Sequence, residues 1–158
     1  MTLEDIANLC DVFYIGGTKN GALLGEAIVI NNDCLKENFR YYIKQRGALL
    51  AKGRLMGICF AELFKNNLFE NLAKHSNNMS YKIADSMKSL GYKFYVEVES
   101  NQTFIVMNNK LVEKLSKDYG IIIQRKIDDD NSLVRITTSF KTDEKKVDEF
   151  IKYLGNLQ

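Results

Sequence analysis

Gly16, Gly17 and Gly21 surround a single lysine in the stretch Gly16-Gly17-Thr18-Lys19-Asn20-Gly21. Apolar runs flank it, Val12-Phe13-Tyr14-Ile15 before and Ala27-Ile28-Val29-Ile30 after. Glycines so placed let the backbone fold closely over a small ligand and present one amine. The Asn-Gly pair is also a strong hairpin signal, so a plain β-hairpin with its lysine in water fits the same residues. The run 27–30 is apolar throughout, as a strand covered on both faces should be, which favours a parallel or mixed sheet over a free hairpin.

Before this stretch, residues 2–9 read as a short helix, with Thr2 as N-cap and Leu3, Ile6 and Leu9 on one face. After it, Asn32 or Asp33 caps a helix carrying Leu35, Phe39, Tyr42 and Ile43 that Gly47 breaks. A second helix, from about Leu49 to Lys65, makes a wide apolar stripe through Leu55, Met56, Cys59, Phe60, Leu63 and Phe64. A third follows Asn66-Asn67, with Leu72, Met79, Ile83 and Met87 inward, until Gly91 stops it. His75 lies beside that stripe and reads as a satisfied or surface side chain.

From there the rhythm changes. Strands are expected over 93–98 and 103–107, a helix over 109–119, strands over 121–126 and 133–138, and a last helix capped by Thr142. The sum is a ββαββα unit, a small mostly antiparallel sheet with helices on one face. The run Asp128-Asp129-Asp130-Asn131 lacks the glycine and terminal glutamate of a calcium loop and reads as a solvated turn.

At 158 residues, 46% of them apolar, the chain can bury a real core. A net charge of +2 does not announce nucleic acid or an anionic membrane as partner. No run approaches the about 18 apolar residues of a membrane span. Met1-Thr2-Leu3-Glu4-Asp5 lacks the regions of a signal peptide, so a cytoplasmic location is expected. Cys10, Cys34 and Cys59 have no metal-like spacing with His75; they are expected to be free, buried thiols, and no metal site is expected.

The run from Asp11 to Ile30, centred on Lys19, resembles the cofactor-lysine segment of the threonine aldolases, β-eliminating lyases of the fold-type-I pyridoxal-phosphate group. The resemblance continues through Lys44-Gln45-Arg46-Gly47, Lys52-Gly53-Arg54 and Val134-Arg135-Ile136-Thr137-Thr138-Ser139-Phe140. Family members are about twice as long, and the part preceding the lysine strand has no counterpart here, so the chain is expected to be a C-terminal half. The implied fold is α/β, fold-type-I PLP-dependent transferase-like. Residues 1–65 would end the large cofactor-binding domain with interface helices, and residues 66–158 would supply a linking helix and the small α+β domain.

The resemblance makes Lys19 the residue that holds pyridoxal 5'-phosphate as a Schiff base, which requires a positioned and sometimes neutral amine. Thr18 could give its hydroxyl to the cofactor phosphate, or bond to backbone in a buried turn. Arg135 lies in a strand whose neighbours Val134 and Ile136 should point to the other face. Its planar fork suits the substrate α-carboxylate, which the matching arginine grips in the family; an exposed edge ion pair is the alternative.

Lys36, Arg40, Lys44, Arg46, Lys52 and Arg54 form a basic cluster that reads as a solvated face. In the family this region lies at a subunit interface, where Lys44 matches a basic residue near the partner subunit's cofactor. Whether Lys52 or Arg54 matches a second one stays open. The family's ring-stacking histidine, pyridine-pairing aspartate and phosphate turn precede the lysine strand and are absent.

The implied activity is aldol cleavage of a small amino-acid substrate, L-threonine or L-allo-threonine, to glycine and acetaldehyde, in a homo-oligomer (dimer or tetramer) with its active site at the subunit interface. The isolated chain is expected to be inactive. Another pyridoxal-phosphate lyase reaction on the same scaffold, or a non-catalytic dimerisation module, are the alternatives.

Overall fold

The computed structural model describes residues 2–157. The chain divides into two compact units, Met1–Phe69 and Glu70–Gln158.

The first unit begins with helix α1 (Leu3–Leu9). The Asp5 amide donates to Thr2 Oγ1 at 3.1 Å, and the Thr2 amide to the Asp5 carboxylate at 2.6 Å, a reciprocal cap that satisfies two otherwise orphaned donors. The Thr2 backbone bond is the main reason the Asp5 carboxyl is held below its ordinary value.

Strands β1 (Val12–Gly16) and β2 (Glu26–Ile30) pair antiparallel, from Val12 opposite Ile30 to Gly16 opposite Glu26. The parallel or mixed sheet expected around β2 does not form. Among the described residues β1 is its sole neighbour, so the face carrying Val12, Tyr14 and Ile28 stays exposed.

The single helix expected after Asn32 is two pieces. Asn32 Oδ1 accepts the Cys34 amide and caps a short 3-10 turn, Asp33–Leu35. Asn38 then enters the left-handed region at φ 57°, which a continuous helix does not tolerate, and α2 (Phe39–Gln45) restarts from it. The next helix, α3 (Arg54–Leu63), starts five residues later than Leu49, after a stretch of turns. Its stripe is only partly used: Phe60 and Leu63 are buried, whereas Leu55 and Phe64 are exposed. The cysteines also depart from expectation. All three are free, but Cys10 and Cys34 are exposed and Cys59 is half-buried, because Cys10 and Cys34 lie on polar connections rather than on core faces.

Helix α4 (Leu68–Ser89) lays Met79, Ile83 and Met87 into the core of the second unit. Strands β3 (Lys93–Phe94), β4 (Gln102–Asn108), β5 (Ile122–Lys126) and β6 (Asn131–Thr137) form a fully antiparallel sheet in the order β3-β4-β6-β5. Helices α5 (Asn109–Leu115) and α6 (Glu144–Gly155) complete the expected ββαββα order.

Three elements are trimmed. The strand expected over 93–98 is short; after the Tyr95 amide bonds to the Phe104 carbonyl, Glu97 turns to pair with Lys88 at 3.1 Å. Helix α5 ends at Leu115 rather than 119. Asp143, not Thr142, caps α6 by accepting the Lys145 amide; Thr142 Oγ1 instead accepts the Ser139 amide.

Period-two alternation sets the core. Ile105 and Met107 of β4, with Val134 and Ile136 of β6, face the helices and meet Met87, Leu115, Phe150 and Leu154. The opposite face carries Phe104, Val106, Leu133 and Arg135, from the paired register Phe104–Arg135 and Val106–Leu133. His75 Nε2 lies 2.8 Å from the Thr142 carbonyl oxygen, a structural partner for the one histidine. In the aspartate run, Asp128 Oδ1 accepts the amides of Asp130 and Asn131, so the run closes on itself as a turn.

Candidate functional site

The connection between β1 and β2 covers residues 17–25, far longer than the two-residue hairpin turn that Asn20-Gly21 suggests. It is closed at its base, where the Gly17 amide donates to the Gly25 carbonyl at 3.3 Å. The Gly17 carbonyl in turn accepts the amides of Asn20 and Ala22, both at 2.9 Å. Thr18 and Lys19 are therefore the two central residues of a hydrogen-bonded β-turn.

Only glycine fits at position 17. A Cβ there would lie 2.5 Å from Phe60 Cζ and 2.7 Å from Ala22 Cβ, so the backbone rests directly on the ring that α3 supplies. Gly21, at φ 107°, lets the chain leave the turn through a conformation that side chains rarely adopt.

Thr18 and Lys19 are exposed at the tip. Among the described residues neither Lys19 Nζ nor Thr18 Oγ1 has a hydrogen-bond partner, so both are available to a ligand. Asn20 is half-buried, and its Nδ2 donates to the Phe69 carbonyl at 2.8 Å, across 49 residues. Local sequence reading sees in Asn20 a turn residue and misses this tie; the one available signal is a polar amide beside the lysine.

Lys44 is exposed in the last turn of α2, where a cation is favoured by the helix dipole, and no ion pair or hydrogen bond joins it to the Lys19 turn. Lys52 and Arg54 are exposed on either side of Gly53. Lys36 is neutralised by Asp33 at 2.7 Å, so the basic cluster is weaker than the sequence suggests.

Arg135 belongs to the other unit. It sits on β6 opposite Phe104 of β4 and Ile122 of β5, on the face away from the helices, while Val134 and Ile136 are buried beneath. Its Nε is buried without a hydrogen-bond partner. An orphaned guanidinium donor is costly and calls for an acceptor, and a carboxylate meets that need best. On the same face, by the register that sets Arg125 opposite Leu133, Arg125 lies over the Tyr95 ring at 5.3 Å and donates to its hydroxyl at 2.9 Å.

What these groups can do follows from their types. A primary amine without a partner, on a turn closed by its own backbone, can condense with a carbonyl group. A guanidinium with an unpaired buried donor can fix a carboxylate.

No protein-family model matches the chain. A solved threonine aldolase from Leishmania major is 42% identical with a TM-score of 0.93, over 99% of this chain and 46% of its own. The low specificity L-threonine aldolase of Pseudomonas sp. (strain NCIMB 10558) is 33% identical over 106 residues, which are 66% of this chain and 31% of that protein. The enzyme of the same name from Pseudomonas aeruginosa is 32% identical over the same length. The chain thus spans less than half the length of these relatives. The fold it shares with the Leishmania protein is that of a fold-type-I pyridoxal-phosphate enzyme, about the C-terminal half.

Proposed function

We propose, from the premise that the homologues of this chain are threonine aldolases and that it corresponds to the C-terminal part of one, that it carries the cofactor lysine and the carboxylate-binding arginine of a pyridoxal-phosphate aldolase. The intact enzyme would cleave a β-hydroxy-α-amino acid, L-threonine or L-allo-threonine, to glycine and acetaldehyde. The first unit ends the cofactor-binding domain in this reading, and the second is the small domain. A homo-oligomer in the cytosol belongs to the same reading.

The residues present fit the cofactor. Lys19 Nζ is exposed and unpartnered on a fixed turn and Thr18 Oγ1 is free beside it for a phosphate oxygen, while Lys44, exposed at the end of α2, would serve the partner subunit's cofactor. Bound there, pyridoxal phosphate supplies a sink for the electron pair released when a Cα–Cβ bond breaks. Lys19 would hold the group covalently through its Nζ. Arg135 fixes the α-carboxylate through two parallel charge-assisted hydrogen bonds, which include the buried Nε. Orienting the carboxylate in this way sets which bond at Cα stands ready to break.

The observation that supports this reading most is the closed Gly17–Asn20 turn, which offers Lys19 as a partnerless amine within a fold matched from end to end by a threonine aldolase. The test is borohydride reduction of the chain after incubation with pyridoxal phosphate, followed by digestion and mass mapping of the adduct. Lys19 should be labelled well above every other lysine. Labelling spread evenly over the lysines would overturn the assignment.

A further inference from the structure

We infer that Asn20 is a positioning residue for Lys19, tying the lysine turn to the start of α4 through the Phe69 carbonyl; this rests on Lys19 being the cofactor lysine. The turn has two anchors near its base, the Gly17–Gly25 hydrogen bond and the seat of Gly17 against Phe60. Both hold Gly17, where the turn begins. On the far side the side chain of Asn20, directly after Lys19, reaches out of the turn, with Nδ2 2.8 Å from the Phe69 oxygen.

The backbone amide of Asn20 is engaged as well, donating to Gly17. One residue therefore closes the turn with its main chain and fastens it with its side chain. A lysine reaches a ligand through four rotatable bonds, and fixing its Cα removes the rocking of the turn from the search those bonds must make.

The acceptor is held in place independently. Asn66 and Asn67 enter α4 in consecutive left-handed conformations, at φ 54° and 56°. Two such residues in succession are rare outside glycine, and they persist only where the surroundings over-determine the backbone. The chain thus commits a strained link to the segment that leads into Phe69. An aspartate at position 20 would turn a carboxylate oxygen toward that carbonyl and repel it, whereas the Nδ1–H of a histidine can sit near the Asn20 donor.

The experiment compares the full chain with N20A, N20D and N20H by amide hydrogen exchange and by the borohydride mapping above. In N20A and N20D the amides of residue 20 and Ala22 should exchange about tenfold faster, as expected for one lost hydrogen bond, while the β1–β2 ladder keeps its protection. The share of adduct on Lys19 should fall with them, and N20H should recover part of the share. Turn exchange and Lys19 share unchanged in N20A would overturn the proposal. So would faster exchange throughout the first unit, because that marks a general structural role. Wild-type chain in which Lys19 is not preferred would overturn the cofactor reading instead, and turn exchange would still decide the anchor.

Discussion

The two units use their apolar residues in opposite ways. Among the described residues, three apolar side chains are buried in the first unit, Ala22, Phe60 and Leu63, against fourteen in the second. Large apolar residues left exposed run the other way, fourteen in the first unit and six in the second. The second unit encloses a core of its own; the first displays apolar faces on its hairpin and on α3. Contiguous exposed apolar surface of this kind marks a place where protein meets protein. The unit that presents Lys19 is thus the one that depends on further contacts.

Core truncation gives the largest effect. Leu154 and Met87 are fully buried in the second unit, so Leu154→Ala or Met87→Ala should destabilise it by about 2–5 kcal/mol in urea unfolding. Leu55, 61% exposed on α3, should cost within about 0.5 kcal/mol when cut to alanine. Equal losses at the two places would erase the contrast.

The exposed hairpin face should make the chain self-associate. Tyr14 and Ile28 are cross-strand partners on that face, 69% and 53% exposed. The double change Tyr14→Lys and Ile28→Lys sets two like charges opposite one another and should lower the mass seen by light scattering, weakening association by roughly 2–3 kcal/mol. A wild-type chain that runs as a monomer at every concentration would show that the face needs no cover.

Gly17→Ala sharpens the comparison from inside the first unit. The new Cβ meets the Phe60 ring and Ala22 at distances real side chains do not adopt, and overpacking of this kind costs about 1–3 kcal/mol. Because few other buried contacts stabilise the unit, Gly17→Ala should also displace the Lys19 turn and reduce adduct formation there. Crystal structures or amide shifts of residues 17–22 identical to wild type would refute it.

The elements legible in the sequence were those whose cause is local. The period of α4, the cap at Thr2, the alternation of β4 and β6 and the glycine turn around Lys19 can all be read within a few residues. Asn38 was not legible, because left-handed asparagine carries no pattern that separates it from one continuing a helix. The choice of Asp143 over Thr142 as cap is a contest between adjacent residues that both suit the position. The Asn20–Phe69 bond joins residues 49 apart, and no window along the chain contains both. For β2 the sequence described what the strand could bury, and the fold supplies no cover for Ile28. Of the candidate site, the residue types were legible and the orphaned Nε of Arg135 was not, since that is a property of packing.

The smallest effect falls on the surface of the second unit and separates its core from its charges. Asp128 is held below its ordinary carboxyl value, first by the Asn131 side chain and then by the Asp130 amide. Because its folded value is depressed, the stability it contributes is complete above the ordinary aspartate value near 3.8 and disappears as the pH falls through the lower folded one. Asp128→Asn keeps the acceptor oxygen that Asp130 and Asn131 use and removes the charge. Thermal midpoints of wild type and variant should differ slightly at neutral pH and converge once the pH has fallen below the depressed folded value. Convergence is expected because protonation leaves wild type with the same neutral turn. A gap that persists or widens in acid would overturn the assignment to the Asp128 charge, because the protonated turn has no charge left for the variant to lack.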